Sequence, residues 1–188
     1  EKKKLRNKEM KKSLQYLGVK RCFKQNIPTR KLKENIEKTF KKINLLIKNW
    51  KIDTVFCPAY EGGHQDHDVS NFICSRLRNN YKVFEYAEYN FSKGKINCNE
   101  FVKPTKNEVT IKLSEREKRE KMELLKIYNS EKGNLDYVKL DKECYRKLYD
   151  YDYSKPPHSG RLFYRRFSFF SWHPRVDSDT PEKVSKKI

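Results

Sequence analysis

The stretch CPAYEGGHQDHD, residues 57–68, holds two of the chain's four histidines, His64 and His67, with carboxylates beside them. An uncharged imidazole nitrogen can bind a metal ion, and imidazole also transfers protons near neutral pH. Gly62 and Gly63, just before the histidines, would let the backbone turn tightly and leave room for a ligand. The spacing His-x-Asp-His therefore indicates metal binding or acid–base chemistry.

The same residues also fit a polar turn without any chemistry. Asp66 or Asp68 would then cap the following helix, as short polar side chains do at helix starts. An isolated His-x-Asp-His does not decide between these interpretations. The Gly-Gly pair, and the position of the block directly after an apolar run, favour a functional site.

Strand and helix patterns alternate around this block. Residues 53–60, DTVFCPAY, form a short apolar run that predicts a buried strand leading into the block, and residues from Val69 to Leu77 continue at helical spacing. An amphipathic helix beginning at Thr29 is predicted by a stripe of apolar residues at spacings of three and four: Leu32, Ile36, Phe40, Ile43, Ile47 and Trp50.

The remaining patterns predict a helix over 1–17 ended by Gly18, strands over 19–23, 81–89 and 107–113, and a helix over 115–130 begun by a capping box of Ser114 and Glu117. Together they predict an α/β, Rossmann-like fold with a mostly parallel sheet and helices on both faces. Ligands of such sheets collect at the carboxyl ends of strands, where the block lies. We expect one domain over residues 1–188, ending in an irregular, aromatic-rich segment.

Charge and cysteine usage limit the function classes. The formal net charge is +19, which would attract nucleic acid or an anionic membrane surface. The lysines are spread along the predicted helices and no nucleic-acid motif is present, so we expect a solvated surface and no specific nucleic-acid recognition.

Five cysteines without a C-x-x-C pair predict reduced thiols in the cytoplasm. No apolar stretch approaches the roughly 18 residues of a membrane span, and no signal peptide is visible. The sequence leaves the oligomeric state open.

Four segments resemble the PIG-L/LmbE-like de-N-acetylases. The most specific is VFCPAYEGGHQDHDVSNFICSRL (55–77), which is similar to the family's second signature: an apolar strand ending in proline, then His-x-Asp-His, then a helix. RNKEMKKSLQYLGVK (6–20) resembles the family's Arg-x-x-Glu helix. Residues 109–133 resemble a later strand and helix, with Glu131 in place of a glutamine, and YDYSKPPHSGRLFYRRF (151–167) resembles a C-terminal segment of one branch.

The resemblance implies zinc-dependent hydrolysis of an N-acetyl group, typically on a GlcNAc-type glycoconjugate. His67 would be a ligand of zinc or of another divalent metal. His64 would stabilise the tetrahedral intermediate or act as an acid toward the leaving amine, and Asp66 would orient its neighbouring histidine. The predicted substrate contacts are Gly63, His158, Arg161 and Tyr164, whereas we interpret His173 as a packing residue. A metal ion lowers the pKa of bound water and polarises the amide carbonyl, which suits this reaction.

One part of the family pattern is absent from this sequence. The first signature, Ala-His-Pro-Asp-Asp-Glu, should supply further metal ligands and a catalytic base, but the His-Pro of SWHPRVD (171–177) has no aspartate pair. Catalytic zinc sites use about three protein ligands, so one histidine does not suffice. Three explanations are open. The first two strands of the fold lie outside this sequence or on another chain, the chain is a degraded homologue, or its metal site is rearranged; we expect the first. A non-catalytic homologue that keeps the fold, or a basic nucleic-acid- or polyanion-binding protein, are the competing hypotheses.

Overall fold

The computed structural model describes residues 2–170, 172–173 and 176–188; Glu1 and three residues of the SWHPRVD segment, Ser171, Pro174 and Arg175, lie outside this description. The helices are α1 Lys2–Tyr16, α2 Ile36–Trp50, α3 Gln65–Ser75, α4 Glu115–Ile127, α5 Lys132–Leu135 and α6 Pro181–Ser185. The strands are β1 Thr54–Pro58, β2 Lys82–Tyr86, β3 Tyr89–Asn90, β4 Asn97–Cys98, β5 Val109–Lys112 and β6 Lys142–Lys147. The predicted α/β class is confirmed.

Two compact units make up the chain. One comprises Glu1–Asn26 and Ile111–Lys142, and the other comprises Ile27–Thr110 and Glu143–Ile188. Each is assembled from segments that are far apart in sequence, so neither is a stretch that composition along the chain would delimit. The single domain expected over residues 1–188 stays a prediction.

The first unit is built on contacts between α1 and α4. The buried carboxylate of Glu9 accepts hydrogen bonds from the backbone N–H and the hydroxyl of Ser130, and Ser13 Oγ lies 2.8 Å from the Tyr128 hydroxyl. The Arg-x-x-Glu helix and the serine that follows α4 therefore meet. The two family-like segments 6–20 and 109–133 therefore contact each other, and their Glu9 and Ser130 side chains have a structural role in joining α1 to the end of α4.

The start of α4 follows the sequence prediction closely. The Ser114 side chain accepts from the backbone N–H of Glu117, and the Glu117 side chain accepts from the backbone N–H of Ser114. Such reciprocal bonds satisfy two of the backbone donors that every helix start leaves without a helical partner. The predicted capping box is confirmed.

A four-stranded sheet has the order β1-β2-β6-β5, and its strands β1 and β2 belong to the second unit. Strands β1 and β2 are parallel, with Thr54 opposite Lys82, whereas β2 and β6 are antiparallel, with Glu85 opposite Arg146. The sheet is therefore mixed, with its parallel pair at β1 and β2. A second, two-stranded antiparallel sheet consists of β3 and β4.

One face of β1 and β2 is buried under α2 and α3. Its core consists of Ile47, Cys57, Cys74, Leu77, Val83 and Leu148, with Phe40 and Ile43 of α2 packed against it. The other face is more open and carries aromatic side chains. Phe56 is 54% exposed and stacks on Phe84 with ring centroids 5.2 Å apart. Strand β1 therefore carries apolar side chains on both faces of the sheet, as is common in parallel strands.

Three element predictions need correction. No strand forms over residues 19–23; the alternation there has no neighbouring strand to pair with, and Val19 and Phe23 are exposed. The helix expected from Thr29 is preceded by a 3-10 turn at Leu32–Glu34 and begins at Ile36. Strand β6 was not predicted from sequence, although it is central to the sheet.

None of the helices in the described ranges has the length and apolar character needed to cross a membrane. None of the five cysteines is in a disulfide, and four of them are buried.

Candidate active site

The turn between β1 and α3 requires both of its glycines. Gly62 has φ = +71°, and a Cβ placed there would lie 2.6 Å from Leu162 Cδ2. A Cβ on Gly63 would collide with the carbonyl oxygen of Tyr89. The two glycines are therefore explained by close packing at the strand end. A substrate contact of Gly63 stays a prediction.

Two buried carboxylates hold this turn in place. Asp68 Oδ1 accepts the backbone N–H groups of Glu61 at 3.2 Å and Gly62 at 3.0 Å. Glu61 Oε1 in turn accepts the backbone N–H groups of Glu88 at 2.8 Å and Tyr89 at 3.0 Å. Burial raises the pKa of Glu61 to about 8 and that of Asp68 to about 7. The turn is thus tied to the segment after β2 by groups that titrate near neutral pH.

His64 is the N-cap residue of α3. Its Nδ1 accepts the backbone N–H of Asp66 at 3.1 Å, so the proton of the neutral imidazole is on Nε2. Burial, followed by the charge of His67, lowers the pKa of His64. At neutral pH His64 is therefore an uncharged ring whose Nε2–H can donate a hydrogen bond.

Asp66 is held by the loop before α2. Its carboxylate accepts the backbone N–H of Arg30 at 2.7 Å and that of Leu32 at 3.3 Å. The carboxylate lies 3.8 Å from His64 Nδ1, beyond hydrogen-bonding distance. Asp66 therefore contacts His64 through its backbone N–H, while its side chain fixes the loop against the start of α3.

His67 faces a carboxylate that the sequence did not single out. Its Nδ1 lies 2.9 Å from Glu88 Oε2, and its ring centroid is 5.3 Å from that of His64. Burial alone would lower the pKa of His67, but the neighbouring carboxylate of Glu88 outweighs burial and raises it. A neutral His67 ring that holds its proton on Nδ1, beside Glu88, would have its lone pair on Nε2. This is the usual arrangement of a histidine that binds a metal ion.

A buried polar network anchors the start of α3. Lys33 Nζ donates to Gln65 Oε1 at 2.6 Å and to Asp179 Oδ2 at 2.7 Å. Gln65 Nε2 donates to Asp177 Oδ2 at 2.6 Å. Because Gln65 lies between the N-cap and Asp66, this network fixes the backbone that carries both histidines.

The other predicted substrate contacts lie on the segment around residue 160. Tyr164 is buried, and burial raises its pKa. The Arg161 guanidinium is exposed and lies 5.3 Å from the centroid of the Phe169 ring. His158 lies on the wall of a cavity that also includes Tyr60. The structure brings Gly63, His64, Asp66 and His67 together in one turn. The substrate contacts of Gly63, His158, Arg161 and Tyr164 stay predictions.

The described donors around the turn do not complete a zinc site. Across residues 2–170, 172–173 and 176–188, no group of three His, Cys, Asp or Glu side chains is placed to hold a metal ion. His67 with Glu88 behind it suits one ligand position. The described side chains therefore do not form a zinc centre by themselves.

Glu88 is the site residue that sequence reasoning missed. It follows β2, which lies parallel to β1, and the carboxyl ends of parallel neighbours meet at one edge of the sheet. This shared edge of β1 and β2 is the signal by which Glu88 could be found from the sequence. The sequence pattern hides this relation, because the predicted strand over 81–89 includes Glu88, whereas β2 ends at Tyr86.

The thermal stability of the protein should fall as the pH rises from about 5 to about 8. Folded Glu61 and Asp68 have pKa values of about 8 and about 7, above the ordinary 4.5 and 3.8. At these two carboxyls the folded state binds more protons than the unfolded state in this window, so their titration favours unfolding as the pH rises. The lowered pKa values of His64 and His158 act in the opposite direction, but the two carboxyl shifts are much larger. Melting temperatures at pH 5, 6, 7 and 8 would measure the slope, which should be shallower in Glu61→Gln because glutamine does not titrate. A melting temperature that rises across this window would contradict the assignment.

The comparisons with known proteins concern the first part of the chain. Residues 1–77 match the family model described as PIG-L, GlcNAc-PI de-N-acetylase. No curated protein matches significantly, and neither does any solved structure. The matched residues include α1, α2, β1 and α3. The de-N-acetylases of this family are hydrolases. The resemblance to the PIG-L family is therefore confirmed over residues 1–77, the part of the chain that carries the His-x-Asp-His block.

Proposed function

We propose that this chain is a zinc-dependent de-N-acetylase that hydrolyses the acetamide of a GlcNAc-type glycoconjugate. The observation that carries the proposal is the pair of imidazoles at the carboxyl end of β1, with ring centroids 5.3 Å apart. The two rings have opposite pKa shifts, because His64 is buried beside a second imidazole whereas His67 contacts Glu88. Neighbouring titratable groups with shifted pKa values in opposite directions are typical of catalytic sites.

The roles follow from the protons that the two rings hold. Amide hydrolysis forms an oxyanion on the former carbonyl oxygen and expels an amine that needs a proton. His64, uncharged with its proton on Nε2, is suited to donate a hydrogen bond to that oxyanion. Of the two roles considered for His64, its neutral state favours oxyanion stabilisation over protonation of the amine. Asp66 is a positioning residue, since its side chain contacts backbone N–H groups.

His67 is the ligand that this chain would contribute to zinc, through Nε2, with Glu88 fixing the ring through Nδ1. The remaining ligands are not among the described side chains. Zinc dependence consequently rests on the family match and on the His67–Glu88 contact. The cytoplasmic location stays a prediction.

Replacing His67 with alanine should lower zinc content and abolish release of acetate from an N-acetylglucosaminide, because the variant lacks the imidazole at the ligand position. Zinc would be measured by elemental analysis, and activity by acetate release before chelation, after chelation and after zinc is restored. His173→Ala is the matched control, since it removes an imidazole outside the turn and should retain activity. Full zinc content in His67→Ala would remove His67 from the ligand set. A folded wild-type protein that releases no acetate with zinc present would instead favour the non-catalytic homologue.

A further inference from the structure

Four large aromatic side chains of the second unit are exposed to solvent. They are Phe167, Phe169, Phe170 and Trp172, with exposed fractions of 53%, 80%, 55% and 77%. Exposed apolar side chains scattered singly are ordinary on a protein surface, whereas four of them within six residues indicate a contact surface. We call these four side chains the aromatic surface.

The chain just before the aromatic surface is anchored in the fold. Leu162, Phe163 and Tyr164 are 1%, 4% and 8% exposed, and the backbone N–H of Phe163 donates to the backbone oxygen of Gly62 at 2.9 Å. The Phe163 ring also packs edge-on against Tyr89, with centroids 4.7 Å apart. The first half of this apolar segment is therefore fixed in the core, and its second half presents rings to the outside.

The sequence around the aromatic surface is basic. Between Pro156 and Val176 it contains four arginines and neither aspartate nor glutamate. The next acidic residue, Asp177, is buried with its carboxylate on Gln65. Residues 177–188 contain three acidic residues and three lysines, so they do not cancel the charge of the arginines. Exposed aromatic rings among arginines complement an apolar layer covered by negative charge, which is the interface of an anionic bilayer.

Two arginines lie on the rings of the aromatic surface. The Arg166 guanidinium is 4.5 Å from the centroid of the Phe167 ring, and the Arg161 guanidinium is 5.3 Å from that of the Phe169 ring. One face of each ring is thus covered, which leaves less ring surface for stacking with nucleic-acid bases. At a bilayer, by contrast, long arginine side chains reach lipid phosphates while the rings stay in the apolar layer.

A second copy of the chain is a poor occupant of this surface. In an isologous dimer the same surface faces itself, so the arginines of the two copies would approach each other. Like charges across an interface are unfavourable. The charge around the aromatic surface therefore favours an anionic partner.

We propose that the aromatic surface binds peripherally to an anionic lipid bilayer. Phe169 and Trp172, the two most exposed of its rings, insert at the boundary between headgroups and acyl chains, and Arg161 and Arg166 contact lipid phosphates. The proposal goes beyond the proposed function, and its test involves no catalysis.

Co-sedimentation of the whole chain with vesicles tests the partner. Vesicles that contain phosphatidylserine should bind at least about tenfold more tightly than vesicles of phosphatidylcholine alone, and salt should weaken this binding. Equal binding to both kinds of vesicle, or no binding to either, would overturn the proposal.

Substitution of the rings separates the aromatic surface from the general attraction of a basic protein. The double variant Phe169→Ser/Trp172→Ser should bind anionic vesicles at least about tenfold more weakly than wild type, because it lacks the apolar rings but keeps every charge. Phe23→Ser is the matched control, an exposed phenylalanine of the other unit, and should bind like wild type. Unchanged binding in the double variant, or an equal loss in Phe23→Ser, would contradict the assignment.

A second pair of variants tests the arginine contact. Arg161→Gln should weaken binding to anionic vesicles about fivefold. Lys41→Gln makes the same charge change on α2 and should have a much smaller effect. Equal effects of the two substitutions would show that net charge alone attracts the protein, and would remove Arg161 from the surface. Circular dichroism would confirm that each variant is folded.

Fluorescence tests insertion directly. Trp50→Phe leaves Trp172 as the only tryptophan, and its emission should shift to shorter wavelength with anionic vesicles and be quenched by brominated acyl chains. Absence of quenching would rule out insertion of Trp172. A dimer that the double variant dissociates would assign the surface to a second copy. Single-stranded DNA binding that the double variant loses, with vesicle binding unchanged, would assign it to nucleic acid.

Discussion

Replacing His64 with asparagine should lower the turnover of acetamide hydrolysis by about 100-fold or more, while zinc content is unchanged. His64 is both the N-cap of α3 and the proposed donor to the oxyanion. Asparagine is among the best N-cap residues, so it keeps the helix start but removes the imidazole. Turnover and zinc content, measured on the same preparation, separate the two histidines. Loss of zinc from His64→Asn would show that the division of roles between His64 and His67 is wrong.

The alanine variant completes this experiment. His64→Ala removes the imidazole and the cap together, so it should lose the same activity and also about 1 kcal/mol of stability relative to His64→Asn. Urea denaturation of both variants measures the difference. If the two variants lose equal stability, the cap seen at His64 Nδ1 does not stabilise α3.

Replacing Arg146 with alanine should destabilise the fold by about 3–5 kcal/mol. Arg146 Nε donates to Glu85 Oε1 at 2.7 Å, and the two side chains are 2% and 0% exposed. The guanidinium also donates to the Lys103 backbone oxygen at 2.7 Å and lies 3.9 Å from the Phe101 ring centroid. Without Arg146, the carboxylate of Glu85 would remain buried without its counter-charge. The free energy of unfolding, from urea titration, measures the loss.

A surface pair provides the control for Arg146. Arg78 lies 3.0 Å from Asp150, whose side chain is 88% exposed, and exposed pairs contribute about 0–1 kcal/mol. Arg78→Ala should therefore cost far less than Arg146→Ala. Replacing Glu85 and Arg146 together with leucine and methionine should recover much of the loss, because the penalty comes from the unpaired charge. Similar losses at Arg78 and Arg146 would refute this account of the buried pair.

The elements that sequence predicted best are those with strong local signals. The capping box of α4 needs only two side chains three residues apart, and β1 is a short apolar run before a turn. Strand β6 has the sequence KECYRK, which resembles a solvated surface segment. Its Arg146 is buried opposite Glu85, its partner across the sheet. No local pattern reveals a partner 61 residues away.

The residues of the candidate site also fall into two groups: those with a local sequence signal and those that depend on partners distant in sequence. His64 and His67 could be found because their spacing and their place after a strand are both local features of the sequence. Glu88 required knowing that β2 ends at Tyr86 and lies beside β1, a boundary that periodicity gives only within a few residues. The partners of Lys33 were not accessible at all, because Gln65 and Asp179 are 32 and 146 positions away in sequence.

The network of Lys33 has a consequence for the order in which this protein folds. During synthesis, residues 33 and 65 leave the ribosome long before residues 177–179, which complete their hydrogen bonds. Until then the Lys33 ammonium lacks its counter-charge, and contacts across so long a loop are slow to form. The start of α3 would therefore be among the last parts of the molecule to become rigid. A nascent chain that already contains every residue of the His-x-Asp-His block would still lack the contacts that fix Gln65 and, with it, the start of α3.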